Sequence, residues 1–120
     1  MITLKTLPAA SKQEIFDQVS QHLLKQNAQS IKTYDSGYNM CAYRGNDGTK
    51  CAAGVLISDT EYTENMDGNT WIELVEKGIV PRENVYLIRC LQTLHDLEQP
   101  SLWKEGLEDI AEQHNLKCNF

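Results

Sequence analysis

Apolar residues recur at helical spacing in four separate segments of the chain. In the first, Ser11-Lys12-Gln13-Glu14 has the form of a capping box. Ile15, Phe16, Val19, Leu23 and Leu24 then keep to one side as far as about Gln26. His22 lies at the edge of that stripe and reads as a surface or packing histidine. In the second, Trp71, Leu74 and Val75 predict a short helix to Lys77, capped by Asn69 or Thr70 and stopped by Gly78. The third follows Pro81 over about Arg82 to Leu97. There Val85, Ile88, Leu91 and His95 form a stripe that Leu87, Leu94 and Leu97 widen, so this helix should be central. The fourth opens at Pro100 and turns Trp103, Leu107, Ile110 and Ala111 to one face. Leu116, Cys118 and Phe120 make a tail able to dock back.

The middle of the chain has a different rhythm. Residues 1–10 are a short extended lead closed by Pro8, and Asn27 to Gly37 is polar and turn-rich, with Asp35-Ser36-Gly37 as a turn. Tyr38 to Arg44 reads as a strand, Gly45-Asn46-Asp47-Gly48 as a hairpin turn, and Thr49 to Cys51 as the returning strand. Cys51 to Ile57 is too short for periodicity to decide, and its small residues favour a short buried helix beginning near Cys51. The fold class that follows is α+β: a mainly helical single domain over residues 1–120, with four to five helices and one β-hairpin near residues 38–51.

Composition narrows the function classes. The 41% hydrophobic content is ordinary for a globular chain, so neither a disulfide nor a metal is needed to hold it. The net charge is −6, and the 11 Lys and Arg are scattered singly, which disfavours direct nucleic-acid binding. No apolar run approaches the roughly 20 residues of a membrane span. The first residues carry no export signal, so the expected compartment is the cytoplasm, with the four cysteines reduced. No cofactor is expected.

Three candidate chemistries arise. Cys41 and Cys51 flank the expected hairpin turn and could join Cys90, His95, His114 or Cys118 around zinc, yet no C-x-x-C or H-x-x-x-H spacing exists. Structural thiols, or a Cys41–Cys51 disulfide, are the alternatives. A nucleophilic Cys51 at a helix N-terminus could use His95 as its base. Asp96 lies about 100° around the helix from His95 and is not expected to orient that ring. A calcium loop around Asn65, Asp67, Gly68 and Asn69 fails, because Thr63 and Leu74 fall at ligand positions.

Charge supplies a further candidate. Between Lys50 and Lys77 there is no basic residue, while Asp59, Glu61, Glu64, Asp67, Glu73 and Glu76 lie in that interval. If these share a face, they could steer a basic partner. Tyr62, Met66 and Trp71 lie among them and could be interface anchors or core. A solvated loop face is the plainer alternative.

The pattern Cys41-x-Tyr43-Arg44-Gly45…Gly48-x-Lys50-Cys51-Ala52-x-Gly54-x-Leu56-Ile57-x-Asp59 resembles a group of small, uncharacterised phage and prophage proteins. Tyr62, Met66-Asp67-Gly68 and Leu94-His95-Asp96 extend the likeness, which spans roughly residues 14–112. It implies a mobile-element origin and a bacterial host cell, and it raises the standing of Cys51 and His95. The expected function is an accessory protein that binds and inhibits a basic host or defence-system protein, in the manner of anti-CRISPR or other anti-defence inhibitors. Its partner-binding residues would be Asp59, Glu61, Tyr62, Glu64, Met66, Asp67 and Trp71, and a homodimer is compatible. The alternative is an enzyme, or a small-molecule or metal-binding domain, built on Cys51 and His95, with Cys41 and Cys51 as metal ligands.

Overall fold

A computed structural model describes all 120 residues. Four α-helices, α1 (Lys12–Gln26), α2 (Trp71–Glu76), α3 (Val85–Leu97) and α4 (Trp103–His114), accompany one antiparallel pair, β1 (Ile31–Thr33) and β2 (Asn39–Cys41). The architecture is α+β with helices dominant. No helix is long and apolar enough to cross a membrane.

The helix signals act locally as expected. Ser11 and Glu14 close the capping box of α1, and Thr70 and Glu73 close that of α2. The third helix begins at Val85 rather than Arg82, because Asn84 takes a left-handed conformation (φ 59°) that holds the preceding residues outside it. Helix α3 is central, packing on α1, α2, α4 and the 3-10 turn Ala53–Leu56. Its Leu87, Ile88 and Leu91 are fully buried beside Phe16, Trp103 and Leu107. The tail docks on α1: Phe120 lies 6.3 Å from Phe16, and the Lys117 amide donates to Gln13, although Cys118 faces solvent.

The hairpin is displaced upstream from residues 38–51. Its strands pair Ile31 with Cys41 and Thr33 with Asn39, and its turn is Tyr34–Tyr38, closed at Gly37 (φ 84°). Asp47 and Gly48 do adopt the left-handed backbone that a tight turn needs, but no ladder flanks them. The reason lies in competing partners. The Lys50 amide is taken by Gln26 Oε1, and its carbonyl by Gln26 Nε2 and His22 Nε2. The Ala42 amide instead extends the upstream pairing by donating to Ser30 O. Residues 53–56 form the short buried helix expected near Cys51, as one 3-10 turn. It presses against the chain just beyond β2 so closely that a methyl group at Gly54 would stand 2.5 Å from the Tyr43 carbonyl oxygen.

Candidate functional site

The acidic interval does not form one exposed face. Met66 and Trp71 are core residues at 4% and 2% exposure. The Asp67 side chain is buried and works internally: it accepts the Tyr43 amide at 2.6 Å and the Tyr62 hydroxyl, and Lys32 Nζ lies 3.8 Å away. Glu61 accepts the amides of Leu4, Lys5 and Ser58. Asp59 is exposed but paired with Arg44 and Lys50. Arg44 also ties the Tyr43, Gly54 and Ile57 carbonyls together and lies over the Tyr62 ring. Of the residues expected to receive a basic partner, Glu64 alone is both exposed and without a basic partner within the chain. Lys32 reaches Asp67, and Arg44 and Lys50 reach Asp59, across the gap between basic residues, whereas Glu64, Glu73 and Glu76 stay exposed without an ion pair.

A second group forms around the C-terminal turn of α3. His95 is fully buried, stacked 5.5 Å from Trp103. Its Nε2 lies 2.9 Å from the Ser30 amide, which can only donate. Nε2 therefore presents a lone pair, and the ring proton sits on Nδ1, where it is donated to Asp96 Oδ1 at 2.7 Å. This overturns the expectation that Asp96 cannot orient His95: although the two side chains leave the helix about 100° apart, the ring and the short carboxylate lean together. Gln92 Nε2 donates to the same oxygen at 2.8 Å, while Gln92 Oε1 accepts the Ala53 amide. Gln29 reaches the carbonyls of His95 and Glu98 at the helix end.

The thiols are placed for packing rather than attack. Cys51 is 1% exposed, and burial pushes its pKa to about 12 despite a bond from the Gly54 amide to its sulfur. The low-pKa setting expected at a helix N-terminus is outweighed by the loss of water. His95 has no free nitrogen for the Cys51 proton, since both are engaged. Cys41 stands opposite Ile31, not Cys51, and all four cysteines are free thiols. Burial and then the Asp96 carboxylate raise Cys41 to about 11.

Cys41 Sγ, His95 and Asp96 bring their ligating atoms within 4.8 Å of one another, which replaces the expected Cys41–Cys51 pairing as the metal candidate. The fit is poor. A cation on Nδ1 needs that lone pair, which moves the proton to Nε2 and sets it against the Ser30 N–H.

Between β2, the start of α2 and the outer face of α3 lies a cleft of about 610 Å³. Cys51 lies at its buried base, Tyr43 and Trp71 form an apolar wall, and Tyr38 stands on the rim at 62% exposure. Helix α3 contributes Arg89, Gln92, Thr93 and Asp96. Arg89, Gln92 and Thr93 were not singled out from the sequence, and Asp96 only as a residue not expected to orient His95, yet their spacing of i, i+3, i+4 and i+7 is a polar stripe on a helix whose opposite face is core. The indole Nε1 of Trp71 is the one buried side-chain nitrogen or oxygen in the molecule without a hydrogen-bond partner. Comparison of the chain with known protein families, characterised proteins and solved structures returns no match.

Proposed function

We propose that the protein is a small-molecule-binding domain whose ligand occupies the cleft between the hairpin and α3. The observation that carries this reading is the combination within one concavity of an apolar lining from Tyr43 and Trp71 and a carboxylate fixed by two donors. Apolar concavities with a few convergent polar groups are the usual form of ligand sites. Binding is favoured over thiol catalysis, because Cys51 is buried and protonated near neutral pH and His95 has no free nitrogen.

Thr93 is exposed at the cleft, so Thr93→Trp fills the space without disturbing the core. Thermal-shift screening of a metabolite panel should find compounds that stabilise the wild type and leave Thr93→Trp unmoved. Stabilisation that persists in the variant would place binding elsewhere and reject this reading.

A second reading keeps the phage-type interaction protein, with a host or defence-system protein as partner. The observation that favours it is not the acidic run but the hairpin tip, where Tyr34 and Tyr38 expose aromatic rings with centroids 6.4 Å apart. Tyr38→Ala should then weaken capture of the partner, whereas reversing Glu64 should not.

A further inference from the structure

Asp96 occupies an unusual position among the acids of this chain. Both of its firm hydrogen bonds, from His95 Nδ1 and Gln92 Nε2, fall on Oδ1. Oδ2 receives no N–H or O–H donor, and the Cys41 thiol near the carboxylate is a weak one. No lysine or arginine pairs with Asp96, while Lys32, Arg44 and Lys50 serve Asp67 and Asp59. The neighbouring imidazole holds its proton on Nδ1 and its Nε2 open to Ser30, so it stands as the neutral tautomer and does not balance the charge. Asp96 is 34% exposed, and its opening is into the cleft. The aromatic wall of Tyr43 and Trp71, with ring centroids 6.4 Å apart, belongs to the same space.

Building on the cleft reading, we infer that the ligand is an aromatic cation whose N–H edge docks on Asp96 and whose ring packs against the apolar lining from Tyr43 and Trp71. A half-buried carboxylate held in one orientation, with one oxygen free, favours a donor that brings positive charge. A neutral apolar molecule would leave Oδ2 without a partner, and an anion would be repelled there. Arg89 does not reverse the preference. It lies seven residues, or about 10.5 Å, from Asp96 along the helix axis, and its exposed side chain is screened by solvent.

The full chain is titrated with benzamidine, benzyl alcohol and benzoate, which share a ring and differ in charge, and dissociation constants are read by ligand-observed NMR. Benzamidine should bind about tenfold or more tightly than either of the others. Asp96→Asn keeps an acceptor for His95 and Gln92, and should remove that margin while leaving benzyl alcohol unchanged. Thr93→Trp should remove all binding. If benzoate or benzyl alcohol matches benzamidine in the wild type, and Thr93→Trp still abolishes binding, the ligand class is overturned and the cleft stands. If no probe binds in a way that Thr93→Trp removes, the cleft reading falls as well. The comparison of probes on the wild type decides the matter even if Asp96→Asn fails to fold.

Discussion

The ring of His95 and the carboxylate of Asp96 meet at 2.7 Å, Nδ1 to Oδ1, although the two residues are consecutive on one helix. With the Ser30 amide on Nε2, this contact fixes a single tautomer of a fully buried imidazole and links α3 to the start of the hairpin. Nitrogen-15 NMR of the histidine side chains should find His95 protonated at Nδ1 and bare at Nε2. His95→Ala would orphan the Ser30 amide and leave a void beside Trp103, at a cost of about 3 kcal/mol. Chemical denaturation measures that loss, and a cost under about 1 kcal/mol would mean that the network is dispensable.

Thiol accessibility gives an independent check on the interior. Cys118 is exposed, whereas Cys51 is buried with its pKa pushed to about 12 and Cys41 is raised to about 11. Brief iodoacetamide treatment near neutral pH should label Cys118 first and leave Cys51 unmodified until denaturant is added. Peptide mass spectrometry reads the order. Rapid labelling of Cys51 in the folded protein would restore the case for a nucleophile.

Asp67 and Glu64 lie three residues apart and should respond in opposite ways to substitution. Asp67 holds the Tyr43 amide and the Tyr62 hydroxyl inside the molecule, and it raises the Tyr62 pKa alongside the larger effect of burial. Asp67→Ala should cost about 1–3 kcal/mol by orphaning those donors. Glu64→Lys, on the surface, should change stability by less than about 0.5 kcal/mol. Denaturation midpoints of the two variants test this, and equal effects would show that Asp67 is not a structural acceptor.

Helix signals were legible because they are local: capping residues at 11 and 70, and apolar stripes interrupted by glycine, proline or a left-handed asparagine, act over one or two turns. The hairpin lies upstream of the turn chemistry at 45–48 because that chemistry is local and its competitors are not. Gln26 and His22, some two dozen residues upstream, take the backbone that would have paired. The acidic interval is likewise divided by partners distant in sequence, since Lys32 reaches Asp67, and Arg44 and Lys50 reach Asp59, only in three dimensions. The polar stripe is legible in the spacing of Arg89, Gln92, Thr93 and Asp96, but spacing on one helix does not show that residues of β2 and α2 stand opposite it to form a cleft.

Glu61 makes the pH dependence specific to one junction. Burial pushes its carboxyl up, but hydrogen bonds from Ser58, Leu4 and Lys5 outweigh it and lower the pKa from the ordinary 4.5. The sign follows: a carboxyl whose folded value is lowered binds fewer protons folded than unfolded, so its stabilisation is present above pH 4.5 and is lost as pH falls through the lowered value. Glu61→Ala should therefore cost about 1–2 kcal/mol at pH 7, toward the lower figure because the group is only partly buried and solvent screens it. The gap between variant and wild type should narrow as pH falls below 4.5. It should be accompanied by faster amide exchange at Leu4 and Lys5, whose N–H groups have Glu61 as their acceptor. Urea midpoints at pH 7 and pH 3 measure the gap, and one that does not shrink in acid would assign the role of Glu61 to shape rather than charge.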